Sequence, residues 1–150
     1  MPNRNEHQIT GAIVGGSLAL AKSNGQSVSH RTIEIIAGLI AGYYLACLPD
    51  ILEPADSPNH RSLAHGAAPG VALISACIIQ LDSLQSLLRA HADQRATLAK
   101  QALTPGSELW NLVLELLFRL LAGAAAGAVG GYGSHLALDG FSQRGLPLVA

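Results

Sequence analysis

Glycines four residues apart recur in four segments of this 150-residue chain, and this spacing constrains the fold more than any other feature of the sequence. The sets are Gly11/Gly15, Gly38/Gly42, Gly66/Gly70 and Gly123/Gly127/Gly131. Residues four apart share one face of an α-helix, so each segment would present a stripe of very small residues. Glycine is costly in a water-exposed helix, but it lets helix backbones approach closely where lipid provides no hydrophobic drive between helices. The spacing therefore favours closely packed helices and is typical of membrane proteins.

Four helical segments can be read between the turn-forming residues. They cover about 7–21, about 32–48, a stretch from 62 or 63 to about 102, and a last stretch that follows Thr104-Pro105-Gly106 and reaches about 139. Ser107 is the expected cap of the last helix. Because no useful strand alternation is present, we predict a single all-α domain over residues 1–150. Its expected form is an up-and-down four-helix bundle, rich in Gly and Ala, with helices 3 and 4 longer than helices 1 and 2.

Composition points to a membrane without requiring one. Charged residues make up only 13% of the chain and apolar residues 49%, whereas soluble domains usually carry roughly 25% charged residues. The runs 35–49 and 66–80, which lack both charged residues and histidine, are about 15 residues each, short of the ~20 that span a bilayer comfortably. We predict a multi-pass membrane protein with lipid as a partner, and a compact soluble bundle is the alternative.

Other partners follow from charge and from the glycine stripes. A net charge of −1 offers no basic stripe, so nucleic acid is not an expected partner. The Gly-rich helix faces offer a surface for homo-oligomerisation. Cys47 and Cys77 both lie in apolar segments, which favours buried reduced thiols over a disulfide or metal ligation.

Imidazole and carboxylate groups are concentrated in four separated stretches. These stretches contain His7, then Asp50 and Glu53, then His60, Arg61 and His65, and finally His135 and Asp139. In an up-and-down bundle the start of helix 1 lies beside the end of helix 2, the start of helix 3 and the end of helix 4, so all four stretches meet at one end. His135 and Asp139 are four apart and project from one helix face. Such a set of ligands is what a divalent metal such as Zn²⁺ requires.

Each signal also has a simpler interpretation. His7 could be a solvated residue, Asp50 and Glu53 could be solvated loop residues, and His135 with Asp139 could form a structural hydrogen bond. Glu115 and Arg119 are expected to pair at i,i+4 as a structural ion pair. His30 and His91 are expected at the surface, and the opposite end of the bundle is expected to hold no set comparable to the metal site.

These motifs resemble the family of LexA-binding, inner membrane-associated metal-dependent hydrolases. The elements that match are His7, Leu48-Pro49-Asp50-Ile51, the run from His60 to His65, and Ser134, His135, Asp139, Ser142, Gly145 and Pro147. The chain departs from the family where Leu52 replaces a second Asp, with Glu53 one position later, and where Ser62, Ala64 and Gly66 replace Gly, Thr and Ser. The order of ligands is similar, more distantly, to that of zinc-dependent phospholipase C.

The resemblance implies a hydrolase at the bacterial inner membrane. By similarity to phospholipase C, Asp139 would bridge one ion held by Asp50, His135 and His65 or His60, and a second ion near His7. One or two Zn²⁺ ions are expected, and the substrate would be a phosphoester such as a phospholipid or a lipid-linked phosphate. Asp50 or Glu53 would orient or deprotonate a water molecule, and Arg61 would hold the phosphate. The alternative is a non-catalytic helical scaffold with a structural metal, acting through oligomerisation or by perturbing the bilayer.

Overall fold

Five helices make up the chain in the computed structural model, which describes residues 3–52 and 67–141. They are α1 (Arg4–Lys22), α2 (Val28–Leu45), α3 (Leu48–Leu52), α4 (Ala67–Lys100) and α5 (Pro105–Gly140). α4 has 34 residues and α5 has 36, against 19 for α1 and 18 for α2. The described residues contain no strand, and the predicted all-α bundle is confirmed.

Three helix boundaries differ from the sequence predictions, and side-chain caps explain two of them. Ser27 accepts a hydrogen bond from the backbone N–H of His30, so α2 begins at Val28 and not near residue 32. Thr104, and not Ser107, caps α5: its Oγ1 accepts from the Ser107 N–H at 3.2 Å. The end of the second predicted helix is also different, because α2 stops at Leu45 and Leu48–Leu52 forms the separate short helix α3.

The long helices alternate in direction, and α5 lies at the centre of the bundle. α1 and α4 run one way and α2 and α5 run the other. α5 packs against α1, α2 and α4, whereas α4 packs mainly against α5. As a result α2 and α5, which run in parallel, are direct neighbours along their glycine faces.

Close backbone contact at the glycines holds α1, α2 and α5 together. A Cβ atom added to Gly15 would lie 2.7 Å from the carbonyl oxygen of Gly38 and 3.0 Å from the Cα of Gly127. One added to Gly123 would lie 2.6 Å from the Cα of Glu34. The stripes on α1, α2 and α5 are therefore occupied within the chain. Homo-oligomerisation through Gly-rich faces stays a prediction, and it would require the exchange of these contacts.

The core contains small and polar side chains, whereas many large apolar side chains are outside. Buried residues include Ala19, Ala122, Ala126, Glu34, Arg119 and His135, and exposed ones include Ile13, Ile40, Tyr44, Ile79, Leu109 and Trp110. A water-soluble protein favours the reverse distribution. Three helical segments, Val28–Leu52, Gly70–Lys100 and Pro105–Gly140, are long and apolar enough to cross a membrane, and α1 is not among them. The chain thus has the make-up of a membrane-associated protein.

Candidate metal centre

The start of α1 is fixed by a capping box that places His7 in the first helical turn. The Asn3 side chain accepts from the Glu6 N–H at 3.0 Å, and Glu6 Oε2 accepts from the Asn3 N–H at 2.7 Å. The helix therefore begins at Arg4, and the imidazole of His7 turns into the bundle, where the residue is only 3% exposed. A histidine near a chain terminus is usually solvated, so this burial needs an explanation.

Glycines one helical turn from His7 and from His135 let α1 and α5 approach closely. A Cβ on Gly11 would collide with Ala46 Cβ, and a Cβ on Gly131 would lie 2.6 Å from the Gly42 carbonyl oxygen. The backbones of α1 and α5 both pack against the end of α2 as a result. His135, one turn beyond Gly131, then stacks on His7 with ring centroids 3.9 Å apart.

The Asp139 carboxylate faces the Nε2 atoms of both stacked imidazoles. Its Oδ1 is 3.5 Å from His7 Nε2, and its Oδ2 is 3.6 Å from His135 Nε2. Each carboxylate oxygen thus faces a different ring. The three residues are all buried, and each offers a ligand atom within 4.8 Å of the others. His7, His135 and Asp139 together are called the His–Asp cluster.

Asp50 adds a second carboxylate from α3. Its Oδ1 is 3.6 Å from His135 Nε2, the same distance as Asp139 Oδ2. Its side chain is 45% exposed, whereas that of Asp139 is 3% exposed. Sequence reasoning placed Asp50 just beyond a helix end, but it lies inside α3, where Pro49 occupies the first turn and Ile51 N–H donates to the Cys47 carbonyl at 3.1 Å.

The distances in the cluster suit ligands of one cation. Nitrogen and oxygen atoms bound to a tetrahedral Zn²⁺ at 2.0–2.1 Å lie about 3.3 Å from one another, close to the 3.5 and 3.6 Å seen here. A direct N–H···O hydrogen bond would be shorter. His7 Nδ1 is buried and has no hydrogen-bond partner among the described residues, so His7 is not held as an ordinary core histidine. Two carboxylates beside two imidazoles also match the charge of a divalent cation.

Of the predicted site residues, the structure brings together His7, Asp50, His135 and Asp139. Glu53, His60, Arg61 and His65 lie outside the described residues. The convergence joins α1, α3 and α5, which are far apart in sequence. It comes from the alternating helix directions and from the close glycine packing.

The opposite end of the bundle, where no comparable set of metal ligands was expected, contains a group of buried ion pairs. Glu34, which is fully buried, accepts from Arg89 Nε at 3.0 Å and from Arg89 Nη2 at 2.6 Å. Arg119, only 1% exposed, donates to Asp93 at 2.6 Å, and its Nε lies 3.5 Å from Glu115, as the i,i+4 spacing predicts. These five residues are called the polar cluster.

The turn between α1 and α2 closes the polar cluster. Gln26 Oε1 accepts from Arg119 at 3.3 Å, and the Lys22 carbonyl accepts from Arg89 at 3.0 Å. His30, expected at the surface, is half-buried with its Nε2 3.3 Å from Glu115, whereas His91 is exposed as predicted. One sequence signal for this cluster was Glu34, a charge between isoleucines in the mostly apolar helix α2. Such residues are expensive unless paired and mark an internal partner.

Cys47 is a buried free thiol and Cys77 a half-buried one, so no disulfide joins them. Comparisons with protein-family models, with curated proteins and with solved structures found no match.

Proposed function

We propose that this chain is a membrane-associated, metal-dependent hydrolase of phosphoesters. The observation that supports the proposal is the His–Asp cluster: two stacked imidazoles and a buried carboxylate, with ligand separations that suit one cation. Zn²⁺ is the metal we propose, because two imidazoles and carboxylate oxygen form the ligand set of many catalytic zinc sites. Because each Asp139 oxygen faces a different ring, the cluster suits either one ion or a carboxylate bridge between two.

A bound divalent metal would supply a water molecule of lowered pKa and would polarise the scissile phosphoryl oxygen. The chain's own residues would then divide two tasks. His7, His135 and Asp139, all buried, hold their positions away from bulk water. Asp50 is the partly exposed carboxylate beside His135, so we assign it the task of orienting and deprotonating the attacking water.

For Glu53 and Arg61 we propose the roles expected from the sequence: Glu53 as the alternative carboxylate that orients or deprotonates water, and Arg61 as the residue that holds the phosphate bidentately. His60 and His65 remain proposed as further metal ligands.

We propose that the phosphoester belongs to a lipid, such as a phospholipid or a lipid-linked phosphate. A groove of about 470 Å³ lies between the beginning of α4 and the end of α5, with Val71, Ile74, Gly133 and Leu136 in its mostly apolar lining. Leu136 directly follows His135 in α5, so the groove and the His–Asp cluster belong to the same end of the bundle. The apolar exterior of the bundle supports a membrane location, and the bacterial inner membrane is the one we propose.

Metal analysis and turnover on the full-length protein test this proposal. The protein would be purified in detergent, assayed for bound metal, and tested for cleavage of a phosphodiester and of phospholipid vesicles with and without chelator. We expect at least one bound Zn²⁺ per chain and cleavage that chelation abolishes. His135→Ala should lose both, whereas the matched variant His30→Ala, at the opposite end, should keep both.

An alternative function, a scaffold with a structural metal, is favoured by the burial of the His–Asp cluster. Structural zinc sites are closed, and catalytic sites keep a position open to substrate. If metal is bound but no ester is cleaved, and chelation only lowers the melting temperature, the scaffold is the correct function. If purified protein binds no divalent metal, both functions fail.

A further inference from the structure

The outer parts of α4 and α5 extend well beyond the turn between α1 and α2. That turn reaches α5 at Glu115 and Arg119 through His30 and Gln26. Glu115, the nearer of the two to the start of α5, lies ten positions after Pro105, so α5 continues about 15 Å past this level. Residues 90–120, in which α4 and α5 pack as an antiparallel pair, are called the outer hairpin.

The α4 side of the outer hairpin places it in water. The side chain of Asp93 is 69% exposed, and His91 and Lys100 are exposed as well. Exposed charges of this density do not occur in the hydrocarbon core of a bilayer. Because α5 packs against α4 along this length, the beginning of α5 lies outside the apolar layer too.

The α5 side nevertheless carries an apolar seam. Leu109, Val113, Leu116 and Leu120 follow a 4-3-4 spacing, which aligns them on one helix face as the a and d residues of a coiled coil do. Leu109 is 63% exposed, Val113 48% and Leu116 45%. Trp110 and Leu117, at 62% and 46%, flank this line. An apolar surface of this kind outside the membrane marks an interaction site.

No undescribed part of residues 1–150 is long enough to cover the apolar seam. Residues 142–150 follow α5 and can extend at most about 32 Å, whereas Leu116 lies about 38 Å before Phe141 along the helix. Residues 53–66 are tied at both ends to the same end of the bundle as the His–Asp cluster, so they reach even less far. A surface that packs against the apolar seam must therefore come from outside residues 1–150 of the same molecule.

We propose that the apolar seam pairs with the same seam of a second copy of this chain. Two copies in one membrane have the same orientation and hold their outer hairpins at the same height, so their α5 helices meet in parallel around a two-fold axis. Val113 at an a position between Leu109 and Leu116 at d positions matches the pattern that favours two-stranded parallel pairing, and Leu120 occupies the next a position. The seam is a surface distinct from the glycine stripes, which are occupied within the chain.

Cysteine cross-linking of the full chain in native membrane vesicles tests the pairing. In a background with Cys47→Ala and Cys77→Ala, Val113→Cys is oxidised to form a disulfide. Two matched controls are Thr97→Cys, exposed on the α4 side, and Ile79→Cys, exposed on the apolar part of α4. We expect most of the Val113→Cys protein to run as a dimer and little of either control to do so.

Three results would overturn the proposal. Equal cross-linking at all three positions would indicate random collision. Failure of Val113→Cys to cross-link, together with reaction only with a lipid-soluble maleimide, would place the seam in lipid. Adducts of Val113→Cys with a different protein would make the partner a heterologous one. Metal content of the Val113→Cys protein, expected to equal that of the parent, separates this outcome from failure of the proposed hydrolase.

Discussion

Asp139 is the residue on which the His–Asp cluster depends most, because its two carboxylate oxygens face the two imidazoles. Replacing its carboxylate with an amide keeps the shape and removes the charge that offsets a divalent cation. Asp139→Asn should therefore lower Zn²⁺ affinity at least a hundredfold, more than loss of an outer-shell partner usually does. Titration of the apo-protein with Zn²⁺ measures this. An affinity unchanged within a factor of three would mean that Asp139 is no ligand.

Asp50 is more exposed than Asp139, so substitutions at the two positions should have different effects on turnover and on metal binding. If Asp50 deprotonates the attacking water, Asp50→Asn should reduce turnover by about 10²–10⁴-fold, the usual contribution of a general base. Because the buried ligands remain, bound Zn²⁺ should fall much less than in Asp139→Asn. Parallel measurement of kcat and metal content separates the roles. Loss of metal in proportion to activity would make Asp50 a ligand only.

Glu34 is fully buried opposite a guanidinium, so its neutralisation should be costly. Glu34→Gln leaves the Arg89 charge enclosed without its counter-ion, and breaking a buried pair in this way costs about 3–5 kcal/mol. Asp82→Asn is the matched control. It breaks the Lys22–Asp82 pair, whose acidic side chain is 68% exposed, and should cost less than about 1 kcal/mol. Thermal unfolding in detergent compares them, and equal shifts would contradict the assigned burial.

At the scale of the helix, the effect of a Gly→Ala substitution on stability should depend strongly on what surrounds the glycine. A Cβ on Gly15 meets backbone atoms of both α2 and α5, and those atoms cannot move without separating the helices. Gly15→Ala should destabilise the fold by about 1–3 kcal/mol, the usual cost of overpacking. Gly106→Ala, in the first turn of α5 with open space around it, should be neutral or slightly stabilising. Melting temperatures in detergent provide the comparison.

The sequence predicted the four long helices and their directions well, because apolar runs and turn residues are local signals, but it did not separate the short helix α3 from α2. It predicted exact helix boundaries less well. At the start of α5, Thr104 and Ser107 are both suitable caps, and only packing decides which hydroxyl accepts the hydrogen bond from a backbone N–H. It also predicted His7, Asp50, His135 and Asp139 at one end, because that follows from direction alone. Which helices touch does not follow from direction, so the direct contact between parallel α2 and α5 was not foreseen.

The polar cluster could not be predicted for a related reason. Arg89 and Glu34 are 55 positions apart, and Arg119 and Asp93 are 26 apart, so no spacing rule links them. Local signals exist only for Glu34, a charge among apolar neighbours, and for Glu115 with Arg119, whose i,i+4 spacing predicted their pair but not the rest of the cluster. Charged residues on α4 look like a solvated face in the sequence, and two of them turn out to face buried partners.

For the whole molecule, the apolar exterior and the water-exposed outer hairpin predict a division in chemical accessibility. In membrane vesicles that are first sealed and then permeabilised, Thr97→Cys should react with a water-soluble maleimide. Leu73→Cys, exposed on the apolar part of α4, should react only after denaturation in detergent. Both variants use the cysteine-free background. Rapid labelling of Leu73→Cys in intact membranes would favour the soluble bundle over the membrane protein.

The His–Asp cluster draws its ligands from the first long helix and the last one. During synthesis, His7 leaves the ribosome well before His135 and Asp139 exist, and α5 must also insert between α1, α2 and α4 before the rings can stack. A cation can be captured by the complete set only after that insertion. Loading of the proposed metal would therefore be a late event in biogenesis, and a chain shortened before α5 would have the first imidazole but not the complete cluster.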